Sequence, residues 1–304
     1  MPTLIDFRRR IRSVKNTQQI TRAMKFVATA KLRRAQERVF AARPYAREML
    51  RVLRSAMARI ENPTHPLMAR RPEERVLALV LSGDKGLCGA FNTNVIRKTL
   101  EFFQEHAQQE LDFISVGKKG RDALRKRKLD IVSEYINIFS RLEFGQAKPI
   151  AAKVMDLYTA SEVDAVYAIY NEFKSVLAQR LVVEKLLPID PELLQAPETV
   201  GHATPLLGYP LGEGPALWVD YIYEQPPAEV FNQLLPRHVE TQVYRVLLES
   251  AAAEHAARMT AMDSATNNAA ELIDQLTLHM NKVRQASITK EIIEVVSGAA
   301  WAAS

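Results

Sequence analysis

Residues 237–297 read RHVETQVYRVLLESAAAEHAARMTAMDSATNNAAELIDQLTLHMNKVRQASITKEIIEVVS, without a glycine or a proline. Both residues weaken or end helices, so their absence over this length favours one long helix. Small and apolar residues recur in it at alternating steps of three and four, a spacing typical of a coiled coil. They are Met262, Ala265, Ala269, Leu272, Leu276, His279, Val283 and Ala286. We expect the helix to begin near Ala228 and to kink or restart at Pro236.

The other end of the chain carries a second helical seam. No glycine occurs before Gly83, and helix-forming residues dominate the first 60 positions. Pro44 is a candidate bend in this helix, and the prolines at 63, 66 and 72 end it. The seam residues, again three or four apart, are Ile11, Val14, Gln18, Thr21, Met24, Ala28, Leu32, Ala35, Val39 and Ala42.

Length decides how these helices are arranged. About 60 helical residues span roughly 90 Å, whereas a compact domain of this size has a radius of gyration of about 19 Å. Neither helix fits inside such a domain, so both are expected to project from it. Packing them as an antiparallel pair buries both seams. Two separate helical arms, each bound to something else, are the alternative.

The middle of the chain alternates between strand and helix patterns. We expect strands at 75–82, 111–116, 129–134 and 164–170, helices at 91–106, 118–128 and 147–160, a β-rich segment at 175–187 and a late strand within 218–223. This order indicates a Rossmann-like α/β domain with a partly parallel sheet. The predicted fold class is therefore α/β with a long antiparallel coiled coil. The expected divisions are 1–62 (N-terminal helix), 73–226 (α/β domain) and 227–304 (C-terminal helix).

The N-terminal arm is strongly basic. Residues 1–60 carry 16 Lys and Arg against 3 Asp and Glu, a net charge of +13 in a chain whose total is +6. Such an arm implies an acidic partner: nucleic acid, an anionic membrane surface or an acidic protein surface. Nucleic acid calls for charges on one face with stacking aromatics, and a membrane surface calls for a wide, bulky apolar face. The narrow seam of small residues favours an acidic protein surface, with an ordinary solvated face as the remaining interpretation.

The segment 82–92, SGDKGLCGAFN, follows a predicted strand and precedes a predicted helix, the place where an α/β protein binds phosphate. Its glycines form G-x-x-G-x-x-G, which matches neither the dinucleotide fingerprint nor the P-loop. We interpret it as a tight turn, with a nucleotide site as the alternative. Cys88 is a reactive thiol if its pKa is lowered, and a passive small residue otherwise.

The sequence predicts no catalytic group, metal site or cofactor, and no apolar run of membrane-spanning length.

Three segments carry a family resemblance. Residues 13–36, SVKNTQQITRAMKFVATAKLRRAQ, and residues 82–97, SGDKGLCGAFNTNVIR, resemble the N-terminal helix and the first strand-loop-helix of F-type ATP synthase gamma subunits. The stretch 237–300 is similar to the family's C-terminal helix. The resemblance covers nearly the whole chain and is weakest over 129–229. The stretch 237–300 ends in the family's C-terminal signature, formed here by Ile288, Thr289, Glu291, Glu294, Gly298 and Ala299.

The resemblance implies a rotor. In that family the two terminal helices form an antiparallel coiled coil that rises through a ring of three alpha and three beta subunits. The α/β domain sits at the foot, with epsilon, on the membrane ring of c subunits. This chain would then be the central shaft that couples proton flow to ATP synthesis or hydrolysis on beta, without chemistry of its own. It would lie peripherally on the cytoplasmic face of the bacterial inner membrane, with no nucleic-acid partner, no membrane insertion and no cofactor.

The resemblance also implies site residues. Met24, with Arg22 and Lys25, is expected to face beta, and Arg258 matches a coil position important for coupling. The C-terminal tip, Val295, Val296, Gly298 and Ala299, is expected to turn in an apolar collar that acts as a bearing. The full expected interface with alpha and beta comprises Arg8, Arg9, Arg12, Arg22, Met24, Lys25, Lys85, Cys88, Arg258, Arg284, Gln285, Thr289 and Glu291.

Three features depart from the family pattern. Trp301 stands at the tip where a small or basic residue is usual, which predicts an altered bearing fit. The Pro/Gly-rich stretch 188–216 is longer than in compact bacterial members. The chloroplast-type regulatory cysteine pair is absent, so redox gating is not expected. Two other functions stay open from the residues alone: a nucleic-acid-binding coiled coil driven by the basic arm, and an enzyme that uses the loop 83–89.

Overall fold

The computed structural model describes residues 3–61, 63–140, 142–176, 178–192 and 221–302, with side chains through residue 297. The chain divides into two compact units. The first is formed by Met1–Ala28 with Met259–Ser304, and the second by Thr29–Arg258. The three-part division 1–62, 73–226 and 227–304 remains a prediction.

The described residues alternate between helices and strands in the order expected for an α/β domain flanked by long helices. The middle strands and helices occur where the sequence predicts them, within a few residues. Two short 3-10 helices, Pro66–Met68 and Ile138–Ser140, complete the order. In chain order the long elements are α1 (Leu4–Met57), β1 (Arg75–Leu81), α2 (Phe91–Glu105), β2 (Glu110–Val116), α3 (Lys118–Lys126), β3 (Ile131–Tyr135), α4 (Phe144–Thr159), β4 (Ala165–Phe173), β5 (Gln179–Leu187) and α5 (Pro227–Ala302).

Three boundary predictions need correction. Helix α1 ends at Met57, before the first of the predicted proline stops. Helix α5 continues through Pro236 without a restart, because a proline removes only one backbone hydrogen bond from a helix of 76 residues. Of the predicted late strand 218–223, residues 218–220 lie outside the described residues, and 221–223 are not in a strand.

In the first unit the two helices pack antiparallel, as predicted. The rings of Phe7 and His279 lie 5.7 Å apart between centroids. Further along α1, the hydroxyl oxygens of Thr21 and Thr266 are 2.8 Å apart, so the partner's number falls as the number on α1 rises. We call residues 3–28 and 259–302 the terminal helix pair.

The predicted seam of α1 is confirmed, and that of α5 needs a correction. Every predicted α1 seam residue is buried or half-buried. On α5 the prediction is right at Met262, Ala265, Ala269, Leu276 and Val283, which are buried or half-buried. Leu272 is 43% exposed, and His279 and Ala286 are exposed as well. After Ala269 the steps still alternate, but a step of four comes before a step of three, so the inward positions there are Ile273, Leu276, Met280, Val283 and Ser287.

The second unit contains one five-stranded sheet in the order β3-β2-β1-β4-β5. Strand β1 is parallel to both β2 and β4, β3 is parallel to β2, and only β5 is antiparallel. Strand β1 is buried on both faces, which explains its unbroken apolar sequence. Leu77, Leu79 and Leu81 face a core shared with α1, α4 and α5. Val76, Ala78 and Val80 face a smaller core shared with α2 and α3.

Candidate functional site

The loop between β1 and α2 lies at the carboxyl end of the parallel strands. The strand order reverses there, since β2 lies on one side of β1 and β4 on the other. In open α/β sheets this switch point is the usual ligand crevice. We call residues 83–90 the switch loop. The groups that surround this loop therefore decide whether it is a tight turn or a nucleotide site.

Two side chains of α5 occupy this position. The Nη2 atom of Arg258 donates to the carboxylate of Glu254 at 2.6 Å and to the carbonyl of Gly86 at 3.3 Å. A Cβ atom on Gly83 would lie 3.0 Å from the carboxylate carbon of Glu254, so a larger residue at this position would require the Glu254 carboxylate to shift. Burial raises the pKa of Glu254, and the charge of Arg258 opposes that rise. The chain's own ion pair fills the crevice, which favours the turn.

Cys88 is a structural residue of the switch loop. Its side chain is 1% exposed and packs with Phe91 and Ala253. The amide of Asn92 donates to its sulfur at 3.2 Å. Burial raises the pKa of the Cys88 thiol, so the reactive thiolate is disfavoured.

A buried ion pair joins α5 to the sheet. Arg245 donates to the hydroxyl of Tyr170 on β4 at 3.1 Å and to the carboxylate of Glu184 on β5. Tyr170 donates to the same carboxylate at 2.7 Å. Burial alone lowers the pKa of Arg245, but its anionic neighbours outweigh that effect and raise it. Because the three groups stand on three elements, they fix α5 against rotation relative to β4 and β5.

Glu249, one turn further along α5, has no such partner. Neither of its carboxylate oxygens accepts a hydrogen bond from the residues that the structure describes. The nearest guanidinium nitrogen of Arg245 is 3.7 Å away. Burial raises the pKa of Glu249 to about 7, so the group is mostly protonated in mildly acidic solution.

The terminal helix pair holds the predicted residues of the middle shaft. Lys25 is half-buried, and its ammonium lies 2.6 Å from the carboxylate of Asp263 on the opposite helix. Met24 beside it is half-buried. Lys25, which the family resemblance assigns to the interface with beta, therefore forms an ion pair within the terminal helix pair.

The other predicted site residues fall into two groups. Arg258 is mostly buried against the switch loop, where it donates to the carbonyl of Gly86, the residue that follows Lys85 in the chain. Val295 and Val296 are 71% and 62% exposed, whereas the side chains of Gly298, Ala299 and Trp301 lie outside the described residues. The remaining predicted residues are all exposed: Arg8, Arg9, Arg12, Arg22, Lys85, Arg284, Gln285, Thr289 and Glu291.

Sequence reasoning missed Glu254 and Arg245. Glu254 stands four residues before Arg258 in an alanine-rich stretch, a spacing that could have signalled a helical ion pair. Arg245 stands at the same spacing before Glu249, but its main partner Glu184 is 61 residues away in the chain, and no local spacing points to that partner.

Neither a spanning segment nor a metal cluster emerges from the part of the chain described. None of its helices combines the length and the apolarity needed to cross a membrane. None of its His, Cys, Asp and Glu side chains gather in threes in a way that could hold a metal ion.

Comparisons with known proteins agree with this fold. The ATP synthase family model matches residues 3–301. The ATP synthase gamma chain of Solibacter usitatus is 54% identical, over 99% of this chain and 100% of its own length. The gamma chain of Pelotomaculum thermopropionicum is 46% identical, over 99% of each chain.

Solved structures show the same architecture. A chain of the central stalk and c-ring structure of the Tetrahymena thermophila mitochondrial ATP synthase has a TM-score of 0.58 and 25% identity, covering 81% of this chain and 99% of its own. A rotor chain of the Euglena gracilis mitochondrial enzyme has a TM-score of 0.63, covering 94% of this chain and 98% of its own. At 21% identity, that second likeness shows the fold alone. The full-length match to the family and to its curated members establishes that the chain belongs to the ATP synthase gamma chain family.

Proposed function

We propose that this chain is the central rotor shaft of an F-type ATP synthase, coupling proton flow through the membrane sector to ATP synthesis or hydrolysis on the surrounding ring. It catalyses no reaction itself. The chemistry belongs to the ring, and the shaft changes the affinity of each catalytic site by contacting it differently.

One observation carries the proposal. The end of α5 exposes a run of large aliphatic side chains: Ile288, Ile292, Ile293, Val295 and Val296 are 49% to 71% exposed. A run of this kind on one helix exceeds the scattered apolar residues of an ordinary surface. An apolar collar around the tip would cover it, which is the bearing that the family resemblance implies.

The proposed partners follow from the family and from its solved relatives. Those relatives are named as central stalk, rotor and c-ring assemblies. We assign to this chain a ring of three alpha and three beta subunits, an epsilon subunit at the foot and a membrane ring of c subunits. The charge of the basic arm fits a carboxylate-rich surface of beta.

Within this proposal the exposed predicted residues take distinct roles. Arg284, Gln285, Thr289 and Glu291 contact loops of alpha and beta, while Arg8, Arg9, Arg12 and Arg22 face acidic groups of beta. Lys25 and Arg258 act mainly by holding the shaft's own shape, since both are engaged in ion pairs within the chain. Lys85 contacts beta from the switch loop, and Cys88 supports that loop from beneath.

The proposed location follows from the same assembly. The curated relatives are gamma chains of bacterial ATP synthases, which supports a location at the plasma membrane, and we assign this chain to the cytoplasmic face of that membrane as a peripheral subunit. Its attachment then depends on the c-ring and epsilon rather than on a segment of its own.

Native mass spectrometry of complexes isolated through a tag on this chain tests the proposal. The expected species contains one copy of the chain with three copies each of two larger nucleotide-binding subunits. A homodimer, or a complex with nucleic acid whose stability falls steeply with salt, would contradict it. The second outcome would make the basic arm a nucleic-acid-binding element.

A further inference from the structure

Glu249 is buried on the side of α5 that faces β4 and β5. Its side chain is 4% exposed, and neither of its carboxylate oxygens accepts a hydrogen bond from the residues that the structure describes. The nearest guanidinium nitrogen of Arg245 lies 3.7 Å away, which is too far for a hydrogen bond. An ionised carboxylate here would lose its hydration without gaining a donor, which is costly.

Arg245, one helical turn before Glu249, already neutralises another carboxylate. It donates to the carboxylate of Glu184 on β5 and to the hydroxyl of Tyr170 on β4. Burial raises the pKa of Glu184, but the charge of Arg245 outweighs burial and lowers it, so Glu184 is ionised at neutral pH. The charge of Arg245 is therefore balanced without Glu249.

The second nearby cation is matched as well. Lys174 follows β4, and its ammonium lies 2.7 Å from the carboxylate of Glu172, whose side chain is 10% exposed. Tyr170 contributes a hydroxyl that stays protonated, because burial raises its pKa. The charged groups that act on Glu249 are Arg245 on its own helix, Glu172 in β4, Lys174 just after that strand and Glu184 on β5.

Charge balance in this cluster requires one proton. When all its groups are ionised, two cations and three carboxylates carry a net charge of −1, and a proton on Glu249 brings the sum to zero. A metal ion fits less well, because none of the described His, Cys, Asp and Glu side chains gather in threes that could hold one. Without its proton, Glu249 repels Glu172 and Glu184, so the repulsion acts between α5 and both strands.

We propose that the packing of α5 against β4 and β5 depends on a proton bound by Glu249, and that loss of this proton loosens α5 from the two strands. Because burial raises the pKa of Glu249 to about 7, the loosening falls near neutral pH. The inference concerns the chain by itself and goes beyond the rotor function, so it stands or falls separately from that proposal.

Amide hydrogen exchange of the purified full chain at pH 6 and pH 8 tests the inference, with each rate divided by its intrinsic value at that pH. Glu249→Gln keeps the shape of the side chain and stays neutral at both pH values. Between pH 6 and pH 8 the amides of β5 are expected to lose about tenfold more protection in the wild type than in this variant. The factor follows from a pKa of 4.5 in the released carboxyl group and about 7 in the packed one. His238 and His255 titrate in both proteins, so the comparison removes their contribution.

Strand β3 is the matched control, because it is the other edge strand of the sheet and lies at the end opposite β5. Its amides are expected to show no difference between the wild type and Glu249→Gln at either pH. In the wild type at pH 8, β5 is expected to be at least threefold less protected than the central strand β1, as a local opening requires.

Glu172→Gln provides a second variant that does not alter Glu249. It removes one of the facing carboxylates, so the cluster is neutral without the proton, and the loss of β5 protection between pH 6 and pH 8 is expected to fall to less than half. An undiminished loss would contradict the charge balance on which the inference rests.

Two further outcomes would overturn the inference. The same change in β5 protection in the wild type and in Glu249→Gln would show that α5 does not respond to this proton. Equal protection of β5 and β1 in the wild type at both pH values would show that α5 leaves the strands only when the whole domain unfolds. Neither result bears on the rotor proposal, which native mass spectrometry of the complex tests.

Discussion

The hydroxyl oxygens of Thr21 and Thr266 lie 2.8 Å apart, although 245 positions separate the two residues in the chain. One hydroxyl donates to the other, and the accepting hydroxyl donates its own proton to a backbone carbonyl, that of Gln18 for Thr21 or that of Met262 for Thr266. The contact forms a polar layer in the seam of the terminal helix pair. A polar layer favours the one register that satisfies its hydrogen bonds over shifted registers.

Replacing the two threonines with valine tests this layer. Thr21→Val and Thr266→Val remove a hydroxyl and nearly preserve shape, so each is expected to cost about 1 kcal/mol of unfolding free energy. In the double variant the loss is expected to be about 0.5–1 kcal/mol smaller than the sum of the two single losses, because each single variant already removes the shared hydrogen bond. Denaturant unfolding of the purified chain measures this difference, and strictly additive losses would show that the hydroxyls do not interact.

Arg284→Ala with Gln285→Ala tests the exposed shaft surface. Neither side chain is buried, so the free energy of unfolding is expected to change by less than about 0.5 kcal/mol. The proposed function assigns this surface to contacts with alpha and beta, so coupling between ATP hydrolysis and proton pumping is expected to fall. Pumping and ATP hydrolysis are measured on the same membranes, with Lys126→Ala, an exposed cation on α3, as the control. Normal pumping in the double variant would contradict the assignment of these two residues.

Gly83→Ala tests the close approach of α5 to the switch loop. The new methyl would meet the carboxylate of Glu254 at 3.0 Å and the amide oxygen of Asn92 at 3.2 Å, so a buried ion pair has to shift. We expect a loss of about 1–3 kcal/mol in the free energy of unfolding. Gly86→Ala is the control, because a Cβ atom there meets no atom within 4 Å. Equal unfolding temperatures for the two variants would show that the approach is not tight.

Glu249 predicts a pH dependence of stability. Its pKa is 4.5 in the unfolded reference and about 7 in the folded chain. Between pH 4.5 and about 7, the folded chain therefore binds a proton at Glu249 that the unfolded chain has released. The stability gained from this proton is full below pH 4.5 and is lost as the pH rises through 7. The charged neighbours are Arg245 on its own helix, Glu172 and Lys174 at the end of β4, and Glu184 on β5.

Glu249→Gln isolates this effect. Burial lowers the pKa of His238 and His255 to about 4. Below pH 6.5 these histidines therefore reduce stability as the pH falls, whereas Glu249 reduces it as the pH rises. Between pH 6.5 and 8 the wild type is expected to lose roughly 1 kcal/mol more than the glutamine variant. Unfolding in denaturant at both pH values measures this difference. Parallel curves for the two proteins would mean that Glu249 titrates with an ordinary pKa.

The alternation of patterns in the middle of the chain was enough to predict the α/β domain. Strand β1 is an unbroken apolar run because it is buried on both faces, and such runs are local features of sequence. The antiparallel packing of the terminal helices also followed from their seams. The seam of α5 was misjudged after Ala269, because Leu272 and Ile273 are both apolar and only the opposite helix decides which one faces inward.

The family, the two long helices and the sheet were determined by the sequence alone, because periodicity and motifs are properties of neighbouring residues. The tertiary structure decided which charges are buried. The partners of Arg245, on β4 and β5, lie 75 and 61 positions away, and the carbonyl that Arg258 reaches lies 172 positions away. It also decided that Cys88 points inward and Leu87 outward. Both residues are apolar, so their types do not tell which one is buried, and the left-handed backbone at Leu87 turns the two side chains to opposite sides of the loop. Contacts across such separations depend on how elements pack, and no local pattern encodes them.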